Sequence, residues 1–177
     1  MASVTDSMGT TTNMYGARDR LTSVRNPDGS TLDYTYDLKG NRTSVKIASG
    51  TTNYAYDTLN RLTAVTDPDA KVTTYTYDNV GNKSTVNYLN GTMIEYQYNT
   101  LNGLTYLENR KTSGEVISSY AYTLGPNGNR LRVTENTGRI VDYTYDTLNR
   151  LIEEQITDSV LGNQTISYTY DACGNRL

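Results

Sequence analysis

Tyr143-Thr144-Tyr145-Asp146-Thr147-Leu148-Asn149-Arg150-Leu151 returns, almost letter for letter, a stretch met nearly ninety residues earlier as Tyr54-Ala55-Tyr56-Asp57-Thr58-Leu59-Asn60-Arg61-Leu62. In an extended strand successive side chains point to opposite faces, so the two tyrosines of each block fall on one face. Asp-Thr-Leu-Asn reads as a tight reversal, because Asp and Asn bond nearby backbone and Asn tolerates positive φ. Arg-Leu starts the strand coming back. The unit is a β-hairpin, and the chain is a tandem array of it.

Seven full units are visible, with tyrosine pairs Tyr34/Tyr36, Tyr54/Tyr56, Tyr75/Tyr77, Tyr96/Tyr98, Tyr120/Tyr122, Tyr143/Tyr145 and Tyr168/Tyr170. The second tyrosines are spaced by 20, 21, 21, 24, 23 and 25 residues. A degenerate eighth unit begins at Tyr15. The repeat region is therefore 15–177, and 1–14 reads as an N-terminal tail or tag-like segment.

Two kinds of turn alternate. Gly-Asn turns end in a basic residue at Gly40-Asn41-Arg42, Gly81-Asn82-Lys83, Gly128-Asn129-Arg130 and Gly174-Asn175-Arg176. Leu-Asn turns lie between them at Leu59-Asn60-Arg61, Leu101-Asn102-Gly103 and Leu148-Asn149-Arg150. Asp37 precedes its basic residue by five positions and Asp57 by four, which predicts one extra turn residue in the Gly-Asn kind. A second class of turn, including Asn26-Pro27-Asp28-Gly29, Asp67-Pro68-Asp69-Ala70 and Asn90-Gly91, follows each returning strand. Two neighbouring units depart from the pattern. Tyr96 to Gly103 lacks both Asp and Arg, and Tyr120 to Arg130 lacks Asp and is expected to have a longer turn. No stretch carries a helical period. The expectation is an all-β chain of about fifteen antiparallel strands in meander order, forming a curved ribbon.

Composition supports this class and narrows the chemistry. Phe and Trp are absent and Tyr numbers 17, so a thin aliphatic interior must be supplemented by tyrosine packing and ladder hydrogen bonds. A net charge of −3 gives no basic surface for nucleic acid. No apolar run is long enough to insert in a membrane, and the first residues do not read as a signal peptide. With no histidine and the single Cys173, neither a catalytic constellation nor a metal cluster can be assembled from the sequence, and no enzyme and no cofactor are expected.

Tyr34-Thr35-Tyr36-Asp37-Leu38-Lys39-Gly40-Asn41-Arg42, with its linking Asp67-Pro68-Asp69-type turns, resembles the YD repeat of the Rhs family, shared with bacterial Tc toxins and animal teneurins. The resemblance runs from about Tyr15 to Leu177. It implies a hairpin ribbon spiralling into a β-shell or β-solenoid, a structural scaffold that often surrounds a polypeptide toxin cargo in large secreted or cell-surface proteins. Family shells use many more repeats than are present here. The partners it implies are the rest of a larger Rhs-type polypeptide and its cargo. Two further readings come from the residues themselves: end-to-end self-assembly of copies through uncapped β edges, and a glycan-binding or adhesive surface using exposed tyrosine.

The recurring carboxylates Asp37, Asp57, Asp78, Asp146 and Asp171 read as turn caps with a weak ion pair to the following basic residue rather than as a catalytic row. The paired tyrosines read as stacked on one another along the ribbon. Tyr88 and Tyr106, outside the pairs, are the freer ones.

Overall fold

The computed structural model describes residues 1–177. Sixteen strands follow one another as β1 (Ala2–Asp6), β2 (Gly9–Tyr15), β3 (Leu21–Arg25), β4 (Thr31–Tyr36), β5 (Arg42–Ile47), β6 (Gly50–Tyr56), β7 (Leu62–Thr66), β8 (Val72–Tyr77), β9 (Lys83–Asn87), β10 (Thr92–Tyr98), β11 (Leu104–Lys111), β12 (Val116–Leu124), β13 (Arg130–Glu135), β14 (Ile140–Tyr145), β15 (Leu151–Thr157) and β16 (Gln164–Ser167). They make one antiparallel sheet whose spatial order is the chain order, the meander expected of tandem hairpins. One 3-10 turn, Ala17–Asp19, interrupts the otherwise all-β chain. The chain divides into two compact units, Met1–Tyr75 and Thr76–Leu177.

The segment 1–14, read from the sequence as a tail, holds β1 and most of β2, which pair from Ala2↔Asn13 to Asp6↔Gly9. Its run of threonines suits a strand with one solvated face. No Tyr-x-Tyr marks this hairpin, so the repeat pattern could not reveal it.

Register separates the side chains into two faces. In the first unit Tyr34 opposes Val45, Val45 opposes Thr52, and Tyr54 opposes Val65, so both tyrosines of each block share a face with the aliphatic residues. In the second unit the same face carries Ile94 opposite Val86, Tyr96 opposite Leu107, Tyr122 opposite Val133 and Val141 opposite Ile156. The opposite face is polar, with threonine and serine hydroxyls bonded across strands at Thr35–Thr43, Thr35–Ser44 and Thr76–Thr85. Arg132 and Asp142 face one another there in a two-pronged ion pair.

The only buried apolar side chains are Val86, Val133, Val141 and Ile156, all on the tyrosine face of the second unit, and none is fully enclosed. Within each unit the main strand-to-strand contacts run between sheet neighbours. The core is therefore a half-buried aromatic layer lying on a single sheet.

Candidate functional site: the tyrosine face and its turn edge

The Gly-Asn and Leu-Asn turns are the same length. Asp37 N–H donates to the Asn41 carbonyl and Gly40 N–H to the Asp37 carbonyl; Asp57 N–H donates likewise to Arg61 and Asn60 N–H to Asp57. Gly40 (φ 101°) and Asn60 (φ 64°) thus occupy one left-handed position, and Asn41 and Arg61 occupy the next. The expected extra residue does not exist. The basic residue has moved by one place, from the start of the returning strand (Arg42) into the turn (Arg61). The same five-residue reversal, a tight turn closed by a left-handed residue, recurs at the opposite edge at Asn26, Asp67, Tyr88, Lys111 and Glu135.

That shift changes what the carboxylate holds. In both kinds of turn one oxygen of Asp accepts the backbone N–H four residues on, from Asn41 to Asp37 and from Arg61 to Asp57, each at 2.9 Å. The second oxygen accepts a side chain. In Leu-Asn turns it is the guanidinium, Arg61 to Asp57 and Arg150 to Asp146, both 2.7 Å. In Gly-Asn turns it is an asparagine amide, Asn41 to Asp37, Asn82 to Asp78 and Asn175 to Asp171. The ion pair expected between Asp37 and Arg42 is replaced by this amide. The Asn41 side-chain bond holds the Asp37 carboxyl below the ordinary range, and the Arg61 and Arg150 backbone N–H groups do the same for Asp57 and Asp146. Asp78 and Asp171 are lowered as well.

In four blocks the second tyrosine fastens one hairpin to the preceding one. Just after the turn, register slips by one residue, so that Tyr36 opposes Arg42 and Thr35 opposes Ser44. The same bulge recurs at Tyr56 opposite Leu62 and Tyr145 opposite Leu151. A bulge disrupts the ladder locally and leaves its carbonyl in want of a partner. The next second tyrosine supplies the donor: Tyr36 to the Leu21 carbonyl (2.8 Å), Tyr56 to Arg42 (3.0 Å), Tyr145 to Arg130 (2.8 Å) and Tyr170 to Leu151 (2.7 Å). Phenylalanine could fill the same space but would leave the carbonyl unmet, which explains tyrosine at these four second positions.

Basic side chains lie over the rings. Arg20 is 5.0 Å from the Tyr36 centroid, Arg42 5.0 Å from Tyr54 and Arg176 4.9 Å from Tyr168. Lys83 covers Tyr96 at 6.0 Å. Turn tips also bond to each other, Asn41 to Asn60 at 3.0 Å, Asn82 to Asn102 at 2.9 Å and Asn127 to Asn149 at 3.2 Å. At the other edge proline packs on glycine: a Cβ on Gly50 would lie 2.5 Å from Cβ of Pro68, and one on Gly9 2.7 Å from Cβ of Pro27.

The two departing units keep the turn and alter what surrounds it. Asn99 replaces Asp and its Oδ1 still accepts the N–H groups of Leu101 and Gly103. Gly125-Pro126-Asn127-Gly128-Asn129-Arg130 has the ordinary turn length, with Gly125 in the place of Asp and Leu124, opposite Arg130, in the place of the second tyrosine. The two additional residues expected in the turn lie instead in β12, nine residues long. Tyr122 therefore occupies a first-tyrosine position. Tyr106 lies on the polar face opposite Gln97, bonded to Glu108 at 2.7 Å, and Tyr88 is 39% exposed in a turn. Cys173 is an exposed free thiol in the Asp171 turn. No three His, Cys, Asp or Glu side chains converge to share a metal ion, and no helix is long and apolar enough to cross a membrane.

The RHS Repeat family matches residues 15–52 and 56–93. No curated protein matches the chain. Among solved structures it is similar to TcdB2-TccC3-TEV over 98% of its length, at 20% identity and a TM-score of 0.79. TcdB2-TccC3 without its hypervariable C-terminal region matches over 94%, at 14% identity and a TM-score of 0.69. A Photorhabdus luminescens Tc holotoxin pore with a mutated TccC3 matches over 94%, at 20% identity and a TM-score of 0.54. These likenesses are of fold, and the chain spans 11%, 10% and 9% of the respective solved chains.

Proposed function

We propose, for a chain that belongs to the Rhs, or YD-repeat, family, that this structural repeat segment is a length of wall whose tyrosine face lies against an enclosed polypeptide. The polypeptide would be a cargo such as a toxin, held by a larger secreted or cell-surface protein of which these repeats are a part. The observation that carries the reading is the one-sidedness of the sheet. Its polar face is finished, with hydroxyls and charges already bonded across strands. Its tyrosine face is aromatic and half-exposed, and has no second layer within either unit. A sheet with one apolar face is stable when something covers that face. Tyrosine suits a cover that must not be gripped, since its ring offers apolar area while its hydroxyl keeps the surface wettable.

The test is photo-cross-linking within the polypeptide as the cell makes it, with benzoylphenylalanine placed at Tyr143 on the tyrosine face or at Thr144 on the polar face. The expected result is a covalent adduct to a polypeptide from position 143 and none from 144. Adducts from both faces alike, or to glycan from 143, would overturn the reading.

A further inference from the structure

We propose that the depression where the two departing units meet is a binding site for an acidic segment of extended polypeptide, with Arg130 as the residue that recognises its carboxylate. Three changes from the repeat converge there. Leu124 replaces a second tyrosine, Gly103 stands where other turns carry Asn41 or Arg61, and Gly125 takes the place of the capping Asp. The Leu124 side chain folds over the bare Gly103 backbone, where a Cβ would come within 2.5 Å of it. The space that a latch tyrosine would fill becomes a cavity of about 430 Å³ on the tyrosine face, bounded by Leu104, Tyr122, Leu124, Tyr143 and Leu151. That volume is at the small end of ligand clefts, suited to a short peptide segment.

Arg130 lines this cavity, exposed, its guanidinium 4.7 Å from the Tyr122 ring, and no carboxylate pairs with it. Arg150, by contrast, is neutralised by Asp146 at 2.7 Å. Tyr145 uses only the backbone carbonyl of Arg130, so the fork of N–H donors stays available. One guanidinium between leucine and tyrosine walls fits a monoanionic carboxylate flanked by apolar side chains, since Arg matches a carboxylate with two parallel hydrogen bonds. A phosphate carries more charge than one Arg meets. The site rests on the proposed cargo-facing role only for where the peptide comes from.

The probe is a blocked Gly-Leu-Glu-Leu-Gly peptide titrated into the whole chain, followed by NMR at the Arg130 side-chain N–H and the Leu124 and Leu151 methyls. Its Gln counterpart and an oligogalacturonate are run alongside. Saturable shifts are expected with the Glu peptide, about tenfold weaker binding of the Gln peptide and of Arg130→Gln, and no change for Arg42→Gln. Leu124→Tyr should refill the cavity and abolish the shifts while leaving the fold intact. Equal binding of the Gln peptide, preference for the oligogalacturonate, or no shift at millimolar peptide would overturn the site. Such a result with cross-linking from Tyr143 intact would leave the wall reading standing; shifts here without cross-linking would do the reverse.

Discussion

The hydroxyl of Tyr56 donates to the carbonyl oxygen of Arg42 at 3.0 Å, bridging one hairpin to the one before it. The acceptor is the residue at which the ladder slips, so the tyrosine meets a need that the turn itself creates. Turn, bulge and second tyrosine form one device, repeated along the sheet. It explains why a chain with so little buried aliphatic surface holds a single register.

Acid should weaken the fold through the turn carboxylates. Backbone donation from Arg61 and Arg150, above all, holds Asp57 and Asp146 below their ordinary range. A carboxyl depressed in the folded state contributes stability that is present above the unfolded value of about 3.9 and lost as pH falls through the folded one. Asp57→Asn and Asp146→Asn should still fold, because Asn99 already caps its turn through an amide oxygen. Their melting temperatures should change less than the wild type's below about pH 4, as followed by circular dichroism.

Ala70 sits at φ 62° in the left-handed position that Gly and Asn hold in sister turns. Ala70→Gly should stabilise the chain by about 0.5–1 kcal/mol, the steric cost of that conformation less the entropy glycine loses on folding. Guanidinium denaturation reads the gain directly.

Gly50 presents the opposite case, with φ at 142° and Pro68 against it. Gly50→Ala adds a methyl where proline ring carbon already sits and should cost about 1–3 kcal/mol. The same denaturation assay would show a matching shift of midpoint.

Much of this was legible in the sequence, and the failures have physical causes. The tyrosine pairs and reversals located the hairpins because a period of two and a left-handed turn residue leave strong local marks. Residues 1–14 leave no such mark, and their strands show only in pairing. Counting from Asp to the next basic residue misjudged the turns, because Arg61 and Asn41 perform the same task with different side chains. Counting tyrosines misplaced Tyr122, since Leu124 took over the latch position and the additional length went into β12. The hydroxyl-to-carbonyl bonds join residues 14 to 19 apart in sequence and depend on a bulge, which no residue type announces. The cavity beside Arg130 arises from three absences in two neighbouring units, visible in sequence only as irregularity.

A Tyr→Phe series read by equilibrium denaturation tests the central claim most directly. Tyr36→Phe, Tyr56→Phe, Tyr145→Phe and Tyr170→Phe each remove one donor to a bulge carbonyl and should each cost about 1 kcal/mol. Tyr34→Phe and Tyr54→Phe, whose hydroxyls have no such carbonyl, should fall within about 0.3 kcal/mol of wild type. Equal losses at both positions of the pair, or none at the second, would contradict the account.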